Sequence, residues 1–307
     1  MDTQKKNKIF VLGSYAAGMT AACEKFPMTG QTVRGLDFQI LYGGKGSNQA
    51  VAAARLGGQV TFCTCIGCDS LGDDAVKLFA REGLNTDYIK RTNKSTTGVG
   101  IVMLDRKGNN EIVICLGAND MFTEDDVDNL ENAIAESDIL LIQLEFNLPA
   151  IIRAVELAYK HHVKIILNPA PYQQLPDSVL EKVSLMTPNE TEAQEMAGTS
   201  SFTMTVPGLL FSRYHCPVVV TLGSKGSYIK TTDFEGMVPP YPLDPVDTTG
   251  AGDTFNGALA VAVSEGQSLQ DAVWFATKAA AISVTKKGVV EAIPTRKEVD
   301  DLKEVEK

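Results

Sequence analysis

The run Ile139-Leu140-Leu141-Ile142-Gln143-Leu144 is apolar at every position but one, with no alternation of apolar and polar side chains. A strand with one face in water would alternate, so an unbroken run of this length predicts a strand covered on both faces. Comparable runs recur at Ile9 to Leu12, Val60 to Ile66, Val163 to Leu167, Ser184 to Met186 and Val218 to Leu222, with helix-like segments between them. Buried strands alternating with helices predict an α/β fold: a doubly wound, mostly parallel sheet with helices on both faces.

Two segments have a different rhythm. Thr29 to Tyr42 and Gly98 to Leu116 partly alternate apolar with polar residues, and Asp105 to Asn110 interrupts the second with turn-forming residues. They read as antiparallel strands exposed on one face. Inserted at about 16–42 and 97–117, they predict a small β-sheet lid over the mouth of the site, with an edge extension of the main sheet as the alternative. With 307 residues, 44% of them apolar, and no repeat or linker, one domain spanning 1–307 is expected.

Composition removes several function classes. Acidic residues outnumber basic ones 38 to 28, and no Lys/Arg stripe appears, so a nucleic-acid partner is not expected. Any bound phosphate must then be held by backbone amides, helix ends and metal ions. There is no long uncharged apolar stretch, and the start Met1 to Lys8 is polar, so neither a membrane span nor a secretory leader is expected and the chain reads as cytoplasmic. The six cysteines are too sparse for a disulfide framework, and Cys63, Cys65 and Cys68 lack a further Cys or His at zinc-site spacing. His161, His162 and His215 read as surface residues flanking strands, Trp274 as helix packing, and Lys297 to Lys307 as a solvated helix face.

The chemistry concentrates near the C-terminus. Asp247, Thr248 and Thr249 precede Gly250-Ala251-Gly252-Asp253, followed by a run of small apolar residues through Val263, which together read as a glycine-rich helix start. The first amides of a helix lack intrahelical partners and carry the positive end of its dipole, so Gly250, Ala251 and Gly252 form a candidate anion hole. Asp253 in the first turn places a carboxylate beside it. Phosphoryl transfer to an alcohol needs a base near the attacking oxygen, stabilisation of the transferring group, and a metal to neutralise the polyphosphate. A second glycine-rich loop, Gly43-Gly44-Lys45-Gly46-Ser47-Asn48, opens the helical run Gln49 to Leu56; it is not a Walker A loop, because Gly46 stands where Ser or Thr should follow the lysine. Thr187 to Glu192 offers an amide and carboxylates for a hydrated metal, and Thr221 to Gly226 a strand-to-turn that could hold a nucleotide.

Gly43-Gly44-Lys45-Gly46-Ser47-Asn48-Gln49-Ala50, paired with Asp247 to Gly257, resembles the two signatures of the ribokinase-like (phosphofructokinase B type) carbohydrate kinases. Gln143-Leu144-Glu145, Asn168-Pro169-Ala170-Pro171, Pro188 to Glu192 and Val284 to Gly288 match the ribokinase branch in order and spacing, so the resemblance spans about Lys8 to Pro294. It implies an ATP-dependent kinase acting on a small-molecule sugar or polyol, with Asp253 as catalytic base and Gly250, Ala251 and Gly252 as the anion hole. Gly44, Lys45, Asn48 and Glu145 correspond to sugar contacts. Asn189, Thr221, Gly223 and Gly226 correspond to the nucleotide site, and Asn189 with Glu192 to the group that organises Mg2+. Asp247 and the carbonyl of Thr249 correspond to an activating K+ site. A homodimer through the lid is expected.

The match departs from the family where an Asn-x-Asp group usually follows the first strand, for here Ala16 and Gly18 occupy those positions. A sugar loses its ionic acceptor, so ribose is not expected to be the best substrate. Ala292 stands where a potassium-site serine is common and Thr277 where an adenine-stacking His is common; Gly198 to Cys216 is short and weakly helical, predicting a trimmed or irregular helix. A nucleoside kinase and a non-catalytic ligand-binding regulatory protein on the same scaffold are the alternative functions.

Overall fold

The computed structural model describes residues 7–303; Met1 to Lys6 and Glu304 to Lys307, which carry most of the polar start and the end of the charged C-terminal run, lie outside the described residues. The strands are β1 (Lys8–Leu12), β2 (Ala16–Cys23), β3 (Gly35–Gly43), β4 (Gln59–Cys63), β5 (Cys65–Gly67), β6 (Lys90–Thr92), β7 (Val99–Asp105), β8 (Asn110–Cys115), β9 (Ile139–Gln143), β10 (Lys164–Asn168), β11 (Leu185–Met186), β12 (Val218–Thr221), β13 (Ser227–Lys230) and β14 (Glu235–Val238). The helices are α1 (Lys45–Arg55), α2 (Ser70–Arg81), α3 (Glu124–Asp128), α4 (Glu131–Ala135), α5 (Leu148–Lys160), α6 (Asp177–Leu180), α7 (Glu190–Ala197), α8 (Val206–Tyr214), α9 (Ala251–Ser264), α10 (Leu269–Ser283) and α11 (Arg296–Asp300).

Eight strands form the main sheet in the order β14-β13-β12-β11-β10-β9-β1-β4. From β4 to β12 every pairing is parallel, and β13 and β14 continue the sheet antiparallel. Every residue of β9 is buried, as its unbroken apolar run requires, because one apolar core lies on each face of the sheet. One core draws on α1, α2, α9 and α10, and the other on α3 to α8. The chain passes from β1 outward to β4 and then back to β9 on the other side of β1, so the order reverses there. Ligands in open α/β sheets bind outside the carboxyl ends of the strands at such a reversal.

The second sheet, β3-β2-β7-β8, is separate from the main one, which excludes the edge extension. Its pairing corrects the all-antiparallel expectation: β2 and β7 run parallel, since each enters from the main body in the same direction. The run Val60 to Ile66 is likewise not one strand. It breaks after Cys63, and β5 leaves to pair with β6 in a two-stranded sheet. The segment Gly198 to Cys216 contains a regular helix, α8, with Pro207 in its first turn, where a missing N–H costs nothing. At the C-terminus α11 is short, capped by Thr295 and Glu298, and buries Val299.

Trp274 packs in α10, and Thr277 is buried there with its hydroxyl bonded to the Val273 carbonyl. His161 contacts Glu131, and His162 and His215 occupy left-handed turns. Cys23, Cys63, Cys65 and Cys216 are buried and Cys68 and Cys115 exposed; burial pushes the Cys63 thiol up and that of Cys65 up to about 11. Those two are protonated near neutral pH.

Candidate active site

The site gathers at the carboxyl ends of β1, β9 and β10 because two helices are drawn together there. A Cβ built on Gly257 of α9 would lie 2.6 Å from Ala52 Cβ and 2.6 Å from the Gln49 carbonyl oxygen of α1, so the helices approach to a distance only glycine allows. That contact sets Asn48 and Gln49 against the first turn of α9. Asn48 Nδ2 donates to Asp253 Oδ2 (2.8 Å) and Gln49 Nε2 to Asp253 Oδ1 (3.0 Å). Asp253 is buried, and Asn48 Oδ1 has no partner among the described residues.

Gly250, with φ 76°, is the N-cap of α9 and supplies no capping side chain. The Ala251 amide makes a long bond to the Thr248 carbonyl (3.3 Å), whereas the Gly252 and Asp253 amides find no acceptor among the described residues. Space is open above Gly252, where a Cβ would meet nothing within 4 Å. The Gly250 amide likewise finds no acceptor among the described residues, so Gly250 and Gly252 keep open amides, Asp253 adds one, and Ala251 is partly engaged.

The second glycine loop is shaped by the chain it crosses. Gly44 caps α1 with φ 91°, and a Cβ on it would lie 2.7 Å from the Ala16 nitrogen and from Tyr15 Cα. This close passage joins the loop to Glu145, whose Oε2 accepts from Ser14 Oγ (2.6 Å) and the Lys45 amide (3.0 Å). Burial would lower the Lys45 ammonium, but the carboxylates of Asp253, Glu145 and Glu192 outweigh it and hold Lys45 above its ordinary value. One protonated lysine thus faces three acidic residues. Lys45, Asn48, Glu145 and Asp253 form one cluster, as their sequence assignment required.

Asn189 and Glu192 cap α7 reciprocally: the Glu192 amide donates to Asn189 Oδ1 and the Asn189 amide to Glu192 Oε2, each at 2.9 Å. A capping box accounts for much of this pair, yet Glu192 Oε1 makes no hydrogen bond among the described residues. Burial raises the Glu192 carboxyl above its ordinary value, against the Asn189 hydrogen bond and Lys45, which lower it. A carboxylate oxygen left open in this way suits a magnesium ion that keeps most of its waters.

Thr221 ends β12 and bridges to Asn189, with its amide bonded to the Pro188 carbonyl at 3.0 Å. The turn that follows carries Gly223 and Gly226, and Gly226 has a packing reason of its own: a Cβ there would lie 2.2 Å from the Val238 carbonyl oxygen. Among the described residues no direct hydrogen bond links this turn to the Asp253 cluster. Asp247 likewise makes no hydrogen bond to the Asp253 cluster among the described residues. Burial would raise its carboxyl, but bonds from the Thr249 amide (3.0 Å) and the Gly288 amide (3.2 Å) hold it below its ordinary value.

Sequence reasoning assigned no role to Ser14, Gln49, Gln143 and Asn168, all of them buried. The available signal was the isolated polar side chain: Gln143 closes the apolar run of β9 and Asn168 that of β10. A polar group at the end of a buried strand needs a partner, and here Gln143 and Asn168 both find it in Gln49, while Ser14 finds it in Glu145.

The Asp253 carboxylate, the open helix amides and the half-buried Lys45 make an arrangement suited to moving a phosphoryl group onto a hydroxyl. Comparison with known proteins agrees. The pfkB family carbohydrate kinase profile matches residues 6–296. A ribokinase of Haemophilus influenzae is 41% identical over 297 residues, covering 95% of this chain and 97% of its own. The solved ribokinase of Thermotoga maritima superposes with a TM-score of 0.88 at 33% identity, over 95% of this chain and 97% of that one. An Arabidopsis thaliana ribokinase, solved with ribose and ATP, gives 0.86 at 31% identity over 96% and 97%. With near-complete coverage in sequence and in structure, the chain belongs to the pfkB family of carbohydrate kinases, ATP-dependent phosphotransferases with the ribokinase-like fold.

Proposed function

We propose that this kinase transfers the γ-phosphoryl group of ATP to a hydroxyl of a sugar or related polyol other than ribose. The observation that carries the choice of acceptor is the side of the lid that faces the site. Ser14 points its hydroxyl at Glu145, whereas Tyr15 and Ala17 turn into the core, so Ala16 and Gly18 follow Ser14 toward the site. Beside them on that side are Gly43, Leu41 and Gly100, paired across the sheet. Neither Ala16 and Gly18 nor these cross-strand neighbours carry a carboxylate or amide side chain to grip ring hydroxyls, and a Cβ on Gly100 would meet nothing within 4 Å. Space without an ionic acceptor suits a bulkier or less hydroxylated substrate.

In this reading Asp253 takes the proton of the attacking hydroxyl as that oxygen bonds to the γ-phosphorus, the bond from this phosphorus to the bridging oxygen breaks and ADP leaves. The open amides at the start of α9 stabilise charge on the transferring group, and Lys45 contacts the sugar. Asn48 Oδ1 accepts from the acceptor, and Glu145 orients it with Gly44. Asn189, Thr221, Gly223 and Gly226 border the nucleotide. Glu192 would hold Mg2+ through water, which when bound neutralises the polyphosphate, and Asp247 with the Thr249 carbonyl would hold K+. The main body and its lid act as one domain of a cytoplasmic enzyme.

The lid also favours a homodimer. Its opposite side carries Phe38, Ile40, Ile101 and Val113, neighbours across the strands and all exposed, an apolar surface that a second copy would cover. Sedimentation of Phe38→Asp with Ile40→Asp as a monomer, against a wild-type dimer, is the expected result. Function is tested by ADP release with ATP, Mg2+ and K+ across pentoses, hexoses, tetritols, sugar acids and nucleosides. Stimulation by a non-ribose sugar or polyol is expected. Fastest turnover with ribose, a preference for nucleosides, or no stimulation by any acceptor would overturn the proposal.

A further inference from the structure

Gln49 is fully buried between α1, the ends of β9 and β10, and α9, and no role in binding or phosphate transfer falls to it. Its Nε2 donates to Asp253 Oδ1 and to Asn168 Oδ1, both at 3.0 Å, and its Oε1 accepts from Gln143 Nε2 at 2.7 Å. The neighbours fix its orientation. Asn168 is set by its own donation to the Thr187 carbonyl at 3.1 Å, which leaves only an oxygen facing Gln49. A flipped Gln49 amide would put oxygen against two acceptors and nitrogen against a donor, losing every bond at once.

We propose that Gln49 is a positioning residue: anchored by Gln143 and Asn168 on the sheet, it fixes the Asp253 carboxylate in the orientation that receives the acceptor proton. With Asn48 on Oδ2 and Gln49 on Oδ1, neither oxygen can turn without breaking a buried hydrogen bond. The two amides differ in what holds them. Asn48 keeps an oxygen that has no partner among the described residues, whereas all three side-chain bonds of Gln49 lead to the strand ends or to Asp253. Gln49 therefore ties the base to the most rigid part of the fold and leaves Asn48 for the acceptor.

The inference rests on Asp253 being the base, and a double-mutant cycle separates the two. Gln49→Met keeps length and volume but removes the hydrogen bonds. ADP release would be measured with ATP and D-ribose, and repeated with the fastest sugar of the panel, alongside thermal melts. We expect kcat to fall on the order of tenfold, with both KM values within about threefold, because small displacements of a reacting group cost rate more than affinity. On the Asp253→Asn background the same substitution should change kcat by less than about twofold, since a residue that acts through Asp253 has nothing left to orient. A merely structural Gln49 would lower kcat by the same factor on both backgrounds, and that result, or an unchanged kcat in Gln49→Met, overturns the proposal. Should Gln49→Met fail to fold, Gln143→Met removes the donor that orients Gln49 and carries the same cycle with the same two outcomes. Full turnover by Asp253→Asn would instead strike down the base assignment itself.

Discussion

Replacing Ala16 with Asn and Gly18 with Asp should strengthen binding and turnover of ribose. Both positions lie half-buried in β2 on the side facing the site. Gly18 is not among the left-handed glycines, and a Cβ there would stand 3.7 Å from the Leu41 carbonyl oxygen and 3.9 Å from Leu41 Cβ, ordinary van der Waals contact. The strand therefore admits the side chain without strain. A hydrogen bond from a sugar hydroxyl to a carboxylate contributes roughly 1.5 to 3 kcal/mol, less the cost of ordering a new side chain, about 0.5 to 1.5 kcal/mol. A net gain of about 1.4 kcal/mol corresponds to a tenfold rise in kcat/KM for ribose. Steady-state ADP release with ribose and with the preferred acceptor, wild type against double variant, measures it; activity on the preferred acceptor should fall, because the new side chains occupy its space. The melting temperature should stay within a few degrees, since removing a strand glycine offsets the poor strand preference of Asp, each on the order of 0.5 to 1 kcal/mol. Efficient ribose turnover by the wild type, or a well-folded double variant with no gain on ribose, would refute the reasoning.

Asp253→Asn should lower kcat by at least about 10² with little change in nucleotide affinity, as loss of a general base does; single-turnover kinetics with calorimetric ATP binding separates the two. Glu192→Gln should raise the magnesium concentration for half-maximal rate without weakening sugar binding. In the wild type that requirement should also climb on acidification, starting above the pH at which an exposed Glu titrates, because burial raises the Glu192 carboxyl; a requirement that climbs identically in Glu192→Gln contradicts the assignment. Gly257→Ala should destabilise the fold by about 1 to 3 kcal/mol in urea unfolding and lower kcat as well, because the new methyl must push α1, with Asn48 and Gln49, away from Asp253.

The elements legible in the sequence are those whose signal is local. The unbroken run of β9 reports burial on both faces, the partial alternation around Gly98 to Leu116 reports a sheet with one face in water, and the glycines before Asp253 mark a helix start that leaves amides open. Each depends on the backbone conformation or burial of a few neighbouring residues, which periodicity and residue type encode directly. The resemblance to a carbohydrate kinase family added the assignments that link these segments. Tertiary structure decided what depends on partners far away in the chain. Val60 to Ile66 breaks in two because a strand more than twenty residues later draws β5 out of the main sheet, and β2 pairs parallel with β7 across some eighty residues. Gly226 is glycine because β14 passes over it, and Asn189 and Glu192 cap a helix before they touch any ligand. Gln49, Gln143 and Asn168 look in sequence like three isolated amides. They become one network around Asp253 only when α9 packs on α1 at glycine distance, because a hydrogen bond between residues 204 positions apart leaves no periodicity in the chain to read.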